Sequence, residues 1–180
     1  MIFLTLGTHN QPFERAIDLV APLCGHERVV IQHGQTPARP ELRAEWHESL
    51  TTTQMRAMMR AASTVICHAG VGCIMTALAQ DRHPIVVPRL HCHGEHVDDH
   101  QLEIAGELDR RGVVVMHVDG EPLALTMSRT ATRQQRLDLS GCLRSEIEAY
   151  VRRPAQRRRG HGRATADRAP RASSSSGAVR

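Results

Sequence analysis

The sequence predicts an α/β domain, a doubly wound, Rossmann-like parallel sheet of about five or six strands. Three observations predict it. Short, continuous apolar runs recur along the chain, segments with apolar residues at helical spacing separate them, and glycines punctuate the junctions. Strands that are apolar on both faces need a covering layer on each side, which βα units supply. The right-handed crossover rule then selects the doubly wound arrangement.

Taken in order, the first strand is Ile2–Leu6, closed by Gly7. Phe13, Ala16, Ile17, Val20 and Leu23 follow at helical spacing. Arg28–Gln32, around Val29-Val30-Ile31, is the second strand and ends near Gly34. Thr53–Ala62 puts Met55, Met58, Met59 and Ala62 on one helical face. Thr64–Cys67 is a third strand that runs into a glycine-rich turn, and Ile74, Ala77 and Leu78 belong to the next helix. Pro84–Pro88 encloses a fourth strand, Ile85-Val86-Val87. Val97–Arg111 reads as a helix with Gln101, Ile104, Ala105 and Leu108 on one side, and Gly112 is a natural stop. Val113–Val118 is a fifth strand, and Leu137–Val151 a last helix with Leu139, Leu143, Ile147 and Val151 in register. Residues 1–151 therefore form the expected folded domain. Residues 152–180 lack apolar periodicity and are expected to be a disordered basic tail.

Charge is distributed unevenly across that boundary. The tail holds nine of the 23 basic residues and one of the 19 acids, Asp167, so the rest of the chain is mildly acidic. With only Phe3, Phe13, Trp46 and Tyr150 as aromatics, the folded part does not fit a nucleic-acid binder. The chain has no lysine, which excludes a Walker-type phosphate lysine and Schiff-base chemistry. Five widely spaced cysteines, none in a C-x-x-C pair, read as reduced thiols of a cytosolic protein. No run approaches the ~20 apolar residues of a membrane span, so any membrane association is expected to be peripheral or through a partner.

In a doubly wound sheet, ligands sit beyond the C-terminal strand ends. Three loops there carry chemistry. Gly7-Thr8-His9-Asn10 offers close backbone approach and hydrogen-bonding side chains, or is a simple strand–helix turn. His68-Ala69-Gly70-Val71-Gly72-Cys73 opens a helix with small residues and accessible amides, a favourable place for a diphosphate, although a plain tight turn fits as well. Gly94-Glu95-His96-Val97-Asp98-Asp99-His100-Gln101 is dense in polar groups at a helix start, where Asp98 or Asp99 can cap. His91, Cys92, His93, His96 and His100 also have metal-ligating side chains, but the H-E-x-x-H order is absent and 12 histidines scatter over the chain. We expect neither a metal site nor a cofactor.

Five segments together, in order, resemble the family 28 glycosyltransferase C-terminal domain. They are Phe3-Leu4-Thr5-Leu6-Gly7-Thr8, Val30-Ile31-Gln32-His33-Gly34, Val65 to Gly72, Pro84 to Arg89, and Glu95 to Glu103. The likeness is to the small subunits of split enzymes, among them PssE-like exopolysaccharide subunits and the cytosolic subunit of the dolichol-linked N-acetylglucosaminyltransferase. It implies one half of a GT-B enzyme: the donor-binding half of an inverting transferase that moves a sugar from a UDP-sugar to a lipid-linked saccharide. A membrane-anchored partner would supply the acceptor half, and this chain would be recruited through it to the inner membrane face. Residue by residue, the resemblance places Gly7 and Thr8 near the donor diphosphate, His68, Ala69, Gly70, Val71, Gly72 and Cys73 around it, and His100 and Gln101 toward the donor sugar. Cys73 stands where relatives usually carry Ser, and Thr76 where many carry Glu, the ribose clamp. His9 is the local candidate for general base, unless the partner supplies one. A non-catalytic enhancer that stabilises a membrane-anchored partner is the alternative reading.

Overall fold

The structure is a computed structural model that describes residues 1–137 of the 180-residue chain. Six parallel strands form one sheet in the order β3-β2-β1-β4-β5-β6. They are β1 (Ile2–Thr5), β2 (Val29–Gln32), β3 (Glu45–His47), β4 (Thr64–His68), β5 (Ile85–Val87) and β6 (Val115–Met116). The helices are α1 (Glu14–Val20), α2 (Thr52–Ala61), α3 (Val71–Leu78), α4 (His100–Arg110) and α5 (Leu123–Leu137). The chain starts in the middle of the sheet, winds outward through β2 and β3, and returns to the other side of β1. The topological switch point lies between β1 and β4, where this topology opens a crevice.

Strand alternation divides the core between the two faces. Ile2, Leu4, Ile31, Ile66, Ile85 and Val87 pack against Phe13, Ile17 and Val20 of the α1 region, and Leu123 and Met127 of α5 join them. Phe3, Val30 and Val65 face Met59, Ala62 and Ala77. Cys67 and Val86 continue that second face against Ile74, Ala105 and Leu108 of α3 and α4. A three-layer sandwich results, with α1 and α5 on one side and α2, α3 and α4 on the other.

The structure departs from the sequence expectation at several places. The edge strand β3 was not expected; it is three residues long and partly exposed. Helix α5 was not expected either, and the expected helix Leu137–Val151 lies outside the described residues apart from Leu137, which ends α5. The tail 152–180 lies wholly outside them. Helix α4 begins at His100 rather than Val97, because the preceding loop is held by side chains. The Glu95 carboxylate accepts from the Leu90 amide at 3.0 Å, and Asp99 Oδ1 accepts from the His91 amide at 2.8 Å. Asp99 therefore reaches backward and does not cap α4, whereas Asp98 Oδ1 accepts from the His100 amide at 3.2 Å. The fifth expected strand is shortened to Val115–Met116, since Val113 donates to the Leu108 carbonyl in the turn through Gly112.

Candidate functional site

A cleft of about 590 Å³ opens at the switch point, beyond the C-terminal ends of β1 and β4. Eight of the residues singled out from the sequence line it: Gly7, Thr8, His9, His68, Gly70, Gly72, Cys73 and Thr76. Ala69 and Gln101 are buried, and neither they nor Val71 and His100 line it. Gln32, Ser49, Leu50 and Met55 complete the wall, none of them expected from the sequence as a site residue.

The β1–α1 loop is fixed by Gln32, the buried last residue of β2. Its Oε1 accepts from Thr5 Oγ1 at 2.7 Å and from the Gly7 amide at 3.1 Å, while its Nε2 donates to the carbonyls of Gly7 and Glu48, each at 3.0 Å. One side-chain amide thus binds both polar groups of Gly7 and joins three strand ends. Gly7 has φ +76°, and a Cβ there would lie 2.5 Å from His68 Nε2. A Cβ on Gly70 would overlap the same imidazole. The two glycines therefore leave a slot that the His68 ring fills.

His68 ends β4. Burial is the main cause that pushes its pKa down to about 4, and the Arg89 charge adds to it, with partial opposition from Gln101. The ring is neutral at physiological pH. Its Nε2 lies 3.4 Å from Cys73 Sγ, and its Nδ1 is buried with no partner. Burial also raises the pKa of Cys73, so this pair is thiol and imidazole, not an ion pair.

Helix α3 starts at Val71 with Gly70 as its N-cap residue, and no side chain caps it. Helix geometry leaves the first-turn amides without intrahelical acceptors and puts the positive dipole end there. The Cys73 amide is an exception and corrects the expectation that it is available: it donates to the Gly70 carbonyl at 3.0 Å. Thr76 Oγ1 donates to the Gly72 carbonyl at 2.7 Å, a bond within the helix.

Gln101 works behind the glycine turn. Its Oε1 accepts from the amides of Ala69 and Arg89, each at 3.2 Å, and so joins the exits of β4 and β5. His100 is half exposed, and its Nδ1 bonds the Asp98 carboxylate. The rings of His9, His96 and His100 form a row, with centroids 4.6 Å and 4.5 Å apart. His96, Asp98 and His100 are the group of metal-ligating types that converges among the described residues, with ligand atoms within 4.8 Å of one another. His9 Nδ1 accepts from the Gln11 amide at 3.3 Å. Partial burial, then the charges of Arg89, His96 and His100, lower the His9 pKa. A neutral His9 in this hydrogen-bond pattern carries its hydrogen on Nε2.

Sequence reasoning named Arg89 and Glu95 only within longer segments, gave neither a role, and missed Arg15. Glu95 is buried and forms a two-point ion pair with Arg15, at 3.1 and 2.8 Å. The available signal was a charged residue directly after an apolar strand and its proline, at Pro88-Arg89, and a polar one ending an apolar strand, at Gln32.

The glycosyltransferase family 28 C-terminal domain model matches residues 1–139. The UDP-N-acetylglucosamine transferase subunit ALG13 of Yarrowia lipolytica is 29% identical over 149 residues, which cover 72% of this chain and 73% of that protein. The crystal structure of the glycotransferase of kitacinnamycin superposes with a TM-score of 0.52 at 17% identity, over 84% of this chain. The chain spans only 42% of that protein's length. A six-stranded parallel sheet of this order, a cleft at its switch point and a family match over most of the chain agree: the chain belongs to the glycosyltransferase family 28 C-terminal domain family.

Proposed function

We propose that this chain is the donor-binding half of a split, inverting glycosyltransferase, which moves a sugar from a UDP-sugar to a lipid-linked saccharide. The supporting observation is the juxtaposition of Gly7, the uncapped N-terminus of α3 and a neutral His68 around one cleft at the switch point. In this reading the diphosphate rests on the first-turn amides of α3, with Thr8 reaching it from the opposite loop. Amides aimed at the leaving diphosphate stabilise the charge that develops as the glycosidic bond breaks. His100, half exposed at the start of α4, is assigned to the donor-sugar side. The similarity to a transferase subunit supports a partner that supplies the acceptor half. In this proposal the partner provides the anchor at the inner membrane face; no helix among the described residues is long and apolar enough to cross a membrane.

Inversion needs a base on the acceptor hydroxyl. His9 remains the candidate within this chain, but its Nδ1 accepts from the Gln11 amide, so it acts as a base only after releasing that bond. The hydrogen on Nε2 suits it better to donate to the departing diphosphate, with the base drawn from the partner.

Thr76 favours the enhancer reading at one point, because its hydroxyl hydrogen is engaged by the Gly72 carbonyl and leaves a weak ribose contact. A transfer assay with the co-expressed membrane partner and a series of UDP-sugars decides between the two. Transfer by the wild-type pair and its loss with Gly70→Val in this chain is the expected result. Equal transfer with Gly70→Val would assign the chemistry to the partner and leave this chain as an enhancer.

A further inference from the structure

Building on the diphosphate reading of the cleft, we infer that Arg89 is the buried cation that makes the cleft bind an anion and the strut that holds its first loop. The cleft is otherwise poor in positive charge. Among the described residues no arginine lines it, and the chain has no lysine. Its two histidines, His9 and His68, both have lowered pKa values. A nucleoside diphosphate would thus meet amides, hydroxyls and neutral rings at the described wall, and no cation.

Arg89 stands directly behind that wall. It follows β5 by two residues, is 1% exposed, and its backbone amide shares the Gln101 acceptor with Ala69 of the glycine turn. Its guanidinium fork grips the β1–α1 loop at both ends. Nη2 donates to the Leu6 carbonyl at 2.9 Å, and Nη1 to the carbonyls of Gln11 at 2.8 Å and Glu95 at 3.1 Å. Residues Gly7 to Asn10 lie between those attachment points. The guanidinium carbon also sits 4.6 Å from the centre of the Phe13 ring, which packs the cation from one side.

Among these contacts, every acceptor is a backbone carbonyl, and none is a carboxylate. The nearby Glu95 carboxylate is taken by Arg15. Arg89 Nε is buried without a partner among the described residues. Burying a guanidinium without a direct counter-ion is costly: burial lowers its pKa to about 10, the Glu95 charge opposes that shift only in part, and Arg89 stays charged at neutral pH. An anion in the cleft would supply the missing compensation, across the short loop that Arg89 itself holds. The low-dielectric surroundings weaken screening of this charge by salt.

The test is calorimetric titration of the full chain with UDP and with uridine, which lacks the charge, at low salt and in 1 M NaCl. Wild-type protein is expected to prefer UDP at both salt concentrations. Arg89→Lys, which keeps a charge but not the fork, is expected to weaken both ligands yet preserve the preference. Arg89→Gln, which loses the fork and the charge, is expected to weaken uridine only as much as Arg89→Lys does, and UDP about tenfold or more beyond that. A purely structural Arg89 would weaken both ligands alike in Arg89→Gln, and that result would overturn the inference. If the Gln variant does not fold, the wild-type salt series decides: loss of the UDP preference at 1 M NaCl would assign it to screened surface charges instead. Absence of UDP binding by the wild type is a separate outcome, which overturns the diphosphate reading together with this one.

Discussion

His68 illustrates how a part-buried side chain shapes the cleft by volume as much as by chemistry. Its ring fills the slot between Gly7 and Gly70, so each glycine is required for a different reason. Gly7 supplies a left-handed φ as well as space, whereas Gly70 has an ordinary φ and supplies only space. Gly7→Ala should therefore lose roughly 2 kcal/mol of stability from backbone strain and ring displacement, measurable by urea denaturation, and should also lose UDP binding. The glycines were legible in the sequence because turns after strands call for them. Arg89 and Gln32 were not, because their partners lie far away along the chain: Arg89 reaches Leu6, and Gln32 reaches Gly7. A sequence shows that a polar residue follows an apolar strand, but only the sheet order reveals which loop it meets.

The helices differ in what specifies them. Helix α2 begins with a capping box in which Thr51 Oγ1 accepts from the Gln54 amide at 3.2 Å and Gln54 Oε1 accepts from the Thr51 amide at 2.9 Å. Thr51→Ala should cost about 1 kcal/mol in thermal or chemical denaturation, with little effect on ligand binding. Helix α5 escaped the apolar-periodicity criterion because polar residues occupy much of its inner face. Thr126 and Thr130 are buried there, and Leu125 is exposed. Thr126 Oγ1 lies 3.0 Å from His117 Nδ1 and also bonds Glu121. Replacing Thr126 with Val leaves that imidazole unpaired and should cost about 1–3 kcal/mol, again read by denaturation. The same limit hid β3, whose three residues carry two polar side chains and lie at the sheet edge. Long buried strands and the Met-rich face of α2 announced themselves; short or polar-faced elements take their structure from what they pack against.

Stability of the domain as a whole should depend on pH through its buried imidazoles. Burial lowers the pKa of His68 and of His83 to about 4, and the charges of Arg89 and Arg133 respectively reinforce the shift. Both values lie below the unfolded value of about 6.5. The unfolded chain therefore binds more protons between these limits, so this contribution is complete above pH 6.5 and is lost as pH falls toward 4. Each group accounts for on the order of 2–3 kcal/mol, and scanning calorimetry between pH 7 and 4.5 should show a falling Tm. His83→Leu should flatten part of that slope, since its two ring nitrogens are buried without partners among the described residues. The fold class, five of the six strands and seven lining residues of the cleft followed from strand–helix alternation and from the rule that ligands gather beyond strand ends, and the eighth, Thr76, from the family resemblance.

The most direct test is an amide-resolved NMR titration of the isotopically labelled full chain with UDP. Saturable shifts centred on Gly7, Thr8, Gly70, Val71 and Gly72, with Gln101 and Arg89 moving as their supports, are the predicted result. Shifts confined to another surface, or none up to millimolar UDP, would contradict a diphosphate site at the start of α3.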